Sequence, residues 1–140
     1  MGKPISILMV EDNYGDVLLT EETLADGKFS NTLNSVSNGE AAIQYLEEAK
    51  QGNRVLPDLI LMDINLPRIN GHEVIAYIRN DEVLKDTPVF IVSSSSAPAD
   101  LEKSKPFVQY YLTKPLDLME FEKGIRGINQ FSFCIIKNES

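Results

Sequence analysis

Ile5-Ser6-Ile7-Leu8-Met9-Val10-Glu11-Asp12 is a short apolar run that ends in two acids, and its form recurs along the chain. Leu59-Ile60-Leu61-Met62 leads into Asp63, Val89-Phe90-Ile91-Val92 into Ser93, and Val108-Gln109-Tyr110-Tyr111-Leu112-Thr113 into Lys114. Apolar runs without strict alternation are the pattern of strands buried on both faces of a parallel sheet. Ligands of open α/β sheets bind beyond the carboxyl ends of the strands. One rim would therefore gather acid, acid, hydroxyl and cation, a set suited to a divalent cation and a phosphoryl group.

Helical patterns fill the intervals. Asp12-Asn13-Tyr14-Gly15-Asp16 reads as a loop with Asp16 as N-cap, followed by a helix whose apolar stripe is Val17, Leu18, Thr20 and Leu24. Asn31 to Val36 is a weak strand, and Ala42, Ile43 and Leu46 mark a helix over Glu40 to Lys50 that ends in the turn Gln51-Gly52-Asn53-Arg54. Val74, Ile75 and Ile78 predict a third helix stopping near Asn80-Asp81, and a short fourth is expected around Asp100 to Lys105. Leu118, Phe121, Ile125 and Ile128 recur at the spacing of a last helix. Alternating strands and helices give a doubly wound α/β fold of five βα units with right-handed crossovers.

The 140 residues, 43% of them hydrophobic, suit one domain with a sizeable core. Residues 1–130 are expected to form it, with 131–140 as a tail that extends the last helix, packs as an added segment or mediates a homodimer contact. The formal net charge of −8 argues against nucleic acid. No apolar run approaches the roughly 20 residues of a membrane helix, and no secretory signal pattern opens the chain. A cytoplasmic protein is expected. Cys134, the single cysteine, reads as a packing residue.

Asp63-Ile64-Asn65-Leu66-Pro67-Arg68-Ile69-Asn70-Gly71 resembles the signature of bacterial response-regulator receiver domains, with Asp, Pro and Gly in register. Val10-Glu11-Asp12-Asn13, Val92-Ser93-Ser94 and Tyr111-Leu112-Thr113-Lys114-Pro115 match that family at the other strand ends, so the resemblance runs over about residues 5 to 128. It implies a flavodoxin-like five-stranded parallel sheet of order 2-1-3-4-5. Glu11-Asp12-Asn13-x-Gly15-Asp16 and the Ser-rich loop from Ser93 further resemble single-domain regulators paired with phytochrome-type or hybrid kinases.

The resemblance implies a role for each rim residue. Asp63 would be the phosphoacceptor, taking a phosphoryl group from a sensor histidine kinase or a histidine phosphotransfer protein. Glu11, Asp12, Asp63 and the carbonyl of Asn65 would hold Mg²⁺, which takes oxygen ligands and keeps several waters. Lys114 would pair with Asp63 and then with the phosphoryl group, next to a cis bond to Pro115. Ser93, or Ser94 if the strand ends one residue later, would be the switch hydroxyl, and Tyr111 the aromatic that moves with it. Tyr110 and Tyr111 alternate across the sheet, so only one faces that side. His72, the only histidine, reads as an exposed residue at a helix start, and the phosphodonor histidine belongs to another protein.

Other readings stay open beside a stand-alone receiver that catalyses only its own phosphorylation and dephosphorylation. An Asp-nucleophile phosphohydrolase would need a second acid two positions after the nucleophile, where this chain has Asn65. A non-phosphorylated pseudo-receiver is opposed by retention of Asp12, Asp63, Ser93 and Lys114. A flavodoxin-like cofactor binder shares architecture alone. Departures from the family pattern lie at Ser94 to Ser96 and at Lys105-Pro106-Phe107, where Gly-Ala is usual.

Overall fold

Four short apolar runs do become adjacent strands. The computed structural model describes residues 4–27, 30–63, 66, 70–93 and 108–128. In chain order the elements are β1 (Ile5–Val10), α1 (Tyr14–Ala25), β2 (Asn31–Val36), α2 (Gly39–Lys50), β3 (Leu59–Met62), α3 (Gly71–Arg79), β4 (Val89–Ser93), β5 (Tyr110–Thr113) and α4 (Leu118–Arg126). The strands form one parallel sheet of order β2-β1-β3-β4-β5, the order expected. The expected helix at Asp100 to Lys105, the Ser94 to Ser96 stretch, Lys105-Pro106-Phe107, Asn65 and the 131–140 tail with Cys134 lie outside the described residues.

Alternate residues of the central strands feed two cores. Leu8, Val10, Ile60, Met62 and Ile91 meet Leu46, Val74 and Ile78 of α2 and α3 on one face. Ile7, Met9, Leu61, Phe90 and Val92 meet Val17, Leu24, Phe121 and Ile125 of α1 and α4 on the other. Every residue of β1, β3 and β4 is buried, which is why those runs carry almost no polar side chain. β2 lies at the sheet edge with exposed positions, and its polar sequence reflects that place.

Each described helix is capped by Asn or Asp. Asn38 accepts from the Ala41 N–H, Asn70 forms a capping box with Glu73, and Asp117 accepts from Met119 and Glu120. The cap of α1 is Asn13 and not Asp16: the Asn13 carboxamide accepts the Asp16 backbone N–H at 3.0 Å. Asp16 stands three residues into the motif, where the backbone donor is needed and the side chain is left for other work. Leu18 also departs from the expected stripe and is 41% exposed, because Val17, Thr20 and Leu24 already face the sheet. Gly127 caps α4, so Ile128 packs against the core from beyond the helix end. The turn after α2 is as read, with Gly52 at φ +86°.

Gly124 allows α4 to approach the sheet closely. A Cβ there would stand 2.9 Å from Tyr110 Cδ2 and 3.0 Å from Phe90 Cε2, and Phe90 is fully buried against Tyr110 and Phe121. Overpacking of this kind costs about 1–3 kcal/mol, whereas alanine gains roughly 1 kcal/mol of helix propensity over glycine. Gly124→Ala is expected to destabilise the fold by up to about 2 kcal/mol on balance, read as a lower urea midpoint at unchanged slope; a raised midpoint would show that the rings yield.

Candidate functional site

The sheet's carboxyl rim is built by ladder bonds that continue one residue past the strands. The Asp63 N–H donates to the Val10 carbonyl at 3.0 Å, the Glu11 N–H to Val36 at 3.0 Å and the Lys114 N–H to Ser93 at 3.1 Å. The register sets Val10 beside Met62, and Ser93 beside Thr113. Glu11, Asp63 and Lys114 therefore have fixed backbones at adjacent points, and the Lys114–Pro115 peptide is cis, as the resemblance implies.

Lys114 is the centre of the charge arrangement. Its Nζ lies 2.6 Å from Glu11 Oε1, 3.0 Å from Asp16 Oδ2 and 3.1 Å from Asp63 Oδ2. Glu11 and Asp63 are 2% and 6% exposed. Burial alone would lower the lysine's pKa, but the bonds to Glu11, Asp16 and Asp63 outweigh it and hold the ammonium above its usual range. For Glu11 the balance goes the other way. Its burial, helped by the nearby Asp63 charge, outweighs Lys114 and the Asn13 N–H and pushes the carboxyl up to about 7.

Oxygen atoms of Glu11, Asp12 and Asp63 all lie within 4.8 Å of one another. Three carboxylates with no nitrogen or sulfur donor suit a hard divalent cation, and the exposed side of Asp12 gives access from solvent. The donor set therefore fits a divalent cation, the class to which the implied metal belongs. Asn65, expected to add a carbonyl ligand, lies outside the described residues, as does Ser94.

Ser93 ends β4 and is 2% exposed, so strand and rim meet at it as expected. Tyr110 and Tyr111 point to opposite faces. Tyr110 packs on Phe90 at 5.6 Å between ring centres and donates to Glu120 at 3.1 Å, while Tyr111 is half-buried against the α2–α3 core. His72 is half-buried and not exposed, because α3 meets the sheet from its first turn, where Gly71 is itself buried. The residue that sequence reasoning missed is Asp16. The signal was an Asn13-x-x-Asp16 spacing, which supplies a cap from Asn13 and leaves a carboxylate over.

Comparison with known proteins agrees with this fold. The response regulator receiver domain model matches residues 7–126. The response regulator Rcp1 of Synechocystis sp. is 35% identical over 130 residues, covering 91% of this chain and 88% of Rcp1. The crystal structure of its Mn²⁺-bound form superposes with a TM-score of 0.73 at 35% identity, over 92% of this chain and 94% of that one. The phosphorylated cyanobacterial phytochrome response regulator RcpA gives 0.75 at 36% identity, over 92% and 94%. The bacteriophytochrome response regulator AtBRR gives 0.83 at 28% identity, over 99% and 100%.

The raised carboxyl of Glu11 sets a pH dependence. A folded-state pKa of about 7 against an ordinary 4.5 means that the folded protein binds the extra proton between those values. That stabilising contribution is complete below pH 4.5 and is lost as pH rises through about 7. In EDTA the melting temperature of Glu11→Gln is expected to fall less than wild type's between these two pH values. Mg²⁺ should raise the wild-type melting temperature more at pH 8 than at pH 5.5, since the ligands must be ionised. Parallel pH profiles for the two proteins would contradict the assignment.

Proposed function

The chain belongs to the response regulator receiver domain family and is a phosphoacceptor receiver, and we propose that Asp63 is its phosphorylation site. The observation that carries this reading is the Lys114 ammonium 3.1 Å from Asp63 Oδ2, beside the oxygen cluster of Glu11, Asp12 and Asp63. Receivers of this family take phosphoryl groups from histidine kinases and generally signal without turning over an outside substrate. The donor here is a sensor histidine kinase or a histidine phosphotransfer protein, and the −8 charge supports protein over nucleic acid as the partner.

In the proposed step an Asp63 carboxylate oxygen bonds to phosphorus, the P–N bond to the donor histidine breaks, and the imidazole keeps the electron pair. Mg²⁺ is the cation proposed for Glu11, Asp12, Asp63 and Asn65; when bound it neutralises charge as nucleophile and phosphoryl group meet. Lys114 holds the Asp63 carboxylate in place beforehand and binds a phosphoryl oxygen afterwards. Ser93, at the buried end of β4, donates its hydroxyl to the product, and Tyr111 follows it. Phosphorylation adds about two charges and three acceptor oxygens, enough to redirect a short polar segment.

The matched span supports a receiver unit over residues 1–130, with 131–140 as a tail open to a homodimer role. Among the described residues no helix is long and apolar enough to cross a membrane, which agrees with the cytoplasmic location proposed.

Intact mass after incubation with acetyl phosphate and Mg²⁺ tests the assignment. Wild type should gain one phosphoryl group, and neither the EDTA-treated protein nor Asp63→Asn should gain any. Uptake by Asp63→Asn would move the site elsewhere. Folded wild type that stays unmodified would favour a pseudo-receiver, and sustained release of phosphate from small esters a hydrolase.

A further inference from the structure

Three carboxylates touch the Lys114 ammonium, and they are not equivalent. Glu11 and Asp63 also belong, with Asp12, to the oxygen cluster that fits a divalent cation, whereas Asp16 does not. A cation held by that cluster draws on two of the three groups that hold the lysine. Asp16 reaches Nζ at 3.0 Å from the first turn of α1, with its side chain 32% exposed, and so approaches from a helix and not from the strand rim. Its carboxylate has no capping duty, because the cap uses its backbone N–H. The Thr20 hydroxyl donates to the Asp16 carbonyl at 2.8 Å, which ties the same residue into the buried stripe of α1.

We propose that Asp16 is a positioning residue that keeps the Lys114 ammonium at the phosphoacceptor while Glu11 and Asp63 engage the cation and the phosphoryl group. The proposal rests on the receiver reading of Asp63. A lysine is a point charge on a flexible four-carbon stem, and without a tether outside the reacting cluster it would lose two partners at the moment it is needed. The charge-assisted bond to Asp16 fixes the head group's position beforehand, and pre-set position converts into rate. Asp16 touches neither the phosphorus nor the acceptor and acts only through Lys114.

The test follows phosphoryl uptake from acetyl phosphate by intact mass at saturating Mg²⁺. There an Asp63 oxygen bonds to phosphorus, the P–O bond to the acetyl group breaks, and acetate leaves with the electron pair. Asp16→Ala is expected to lower the rate by about tenfold, a barrier change of about 1.4 kcal/mol, with the half-saturating Mg²⁺ concentration unchanged. Asp16→Glu should regain most of the rate. In a Lys114→Ala background the same Asp16→Ala change should cost nothing further, a non-additivity that general loss of structure would not produce.

The isosteric Asp16→Asn, which removes the charge and keeps the shape of the side chain, carries the test if a melting curve shows Asp16→Ala unfolded. Uptake by folded Asp16→Ala or Asp16→Asn at or above the wild-type rate overturns the proposal, as does an equal loss in the Lys114→Ala background or a shifted Mg²⁺ requirement. Failure of wild type itself to take up the group would overturn the receiver reading instead.

Discussion

The rim of this sheet depends on a single ammonium placed among acids that the fold has largely removed from water. Glu11 and Asp63 sit at the ends of fully buried strands and are themselves 2% and 6% exposed. Isolated buried carboxylates are costly, and removing the partner of such a group leaves its charge uncompensated. Lys114 meets both acids and Asp16 within 2.6 to 3.1 Å. The buried acids and the lysine are thus conditional on one another, and the strands that deliver them must keep register to within a fraction of a residue spacing.

That requirement explains the form of the sheet. Backbone ladder bonds run one residue beyond β1, β3 and β5, fixing Glu11, Asp63 and Lys114 before their side chains are considered. The strands are held in turn by two cores, one on each face, so that neither face can shift without disturbing packed residues. The helices contribute anchoring more than chemistry, with Asn or Asp caps that place each start firmly. α1 is the exception: its first-turn carboxylate, Asp16, crosses to the rim.

Short, mostly apolar runs made β1, β3 and β4 legible, because a strand buried on both faces calls for such a sequence, and the residue after each run was then the rim by geometry. Asp63, Glu11, Asp12 and Lys114 converge for that reason. Side-chain direction was less legible. Asp16 looked like a cap because Asp favours that position, yet Asn13 is equally suited and lies where the backbone donor required it. Leu18 fits the helical period but falls outside the arc that faces the sheet. His72 looks polar in isolation and is half-buried in the first turn of α3, where Gly71 and Val74 are themselves buried. Each miss concerns a direction set by tertiary packing, which periodicity does not encode.

One lysine cannot balance Glu11, Asp12, Asp16 and Asp63, and the imbalance is part of how the rim works. If all four acids are ionised the group carries an excess of negative charge, and Glu11, pushed up to about 7 by its burial with a smaller contribution from the Asp63 charge, is the acid that most readily takes a proton. Protons and a divalent cation bound at this cluster would therefore compete for the same oxygens. A rim neutralised entirely by its own side chains would gain stability and lose its attraction for a cation, and with it the means to accept an anionic phosphoryl group beside an anionic nucleophile. Leaving the charge incompletely compensated keeps that means available, at a cost in stability set against the burial of the two packed cores.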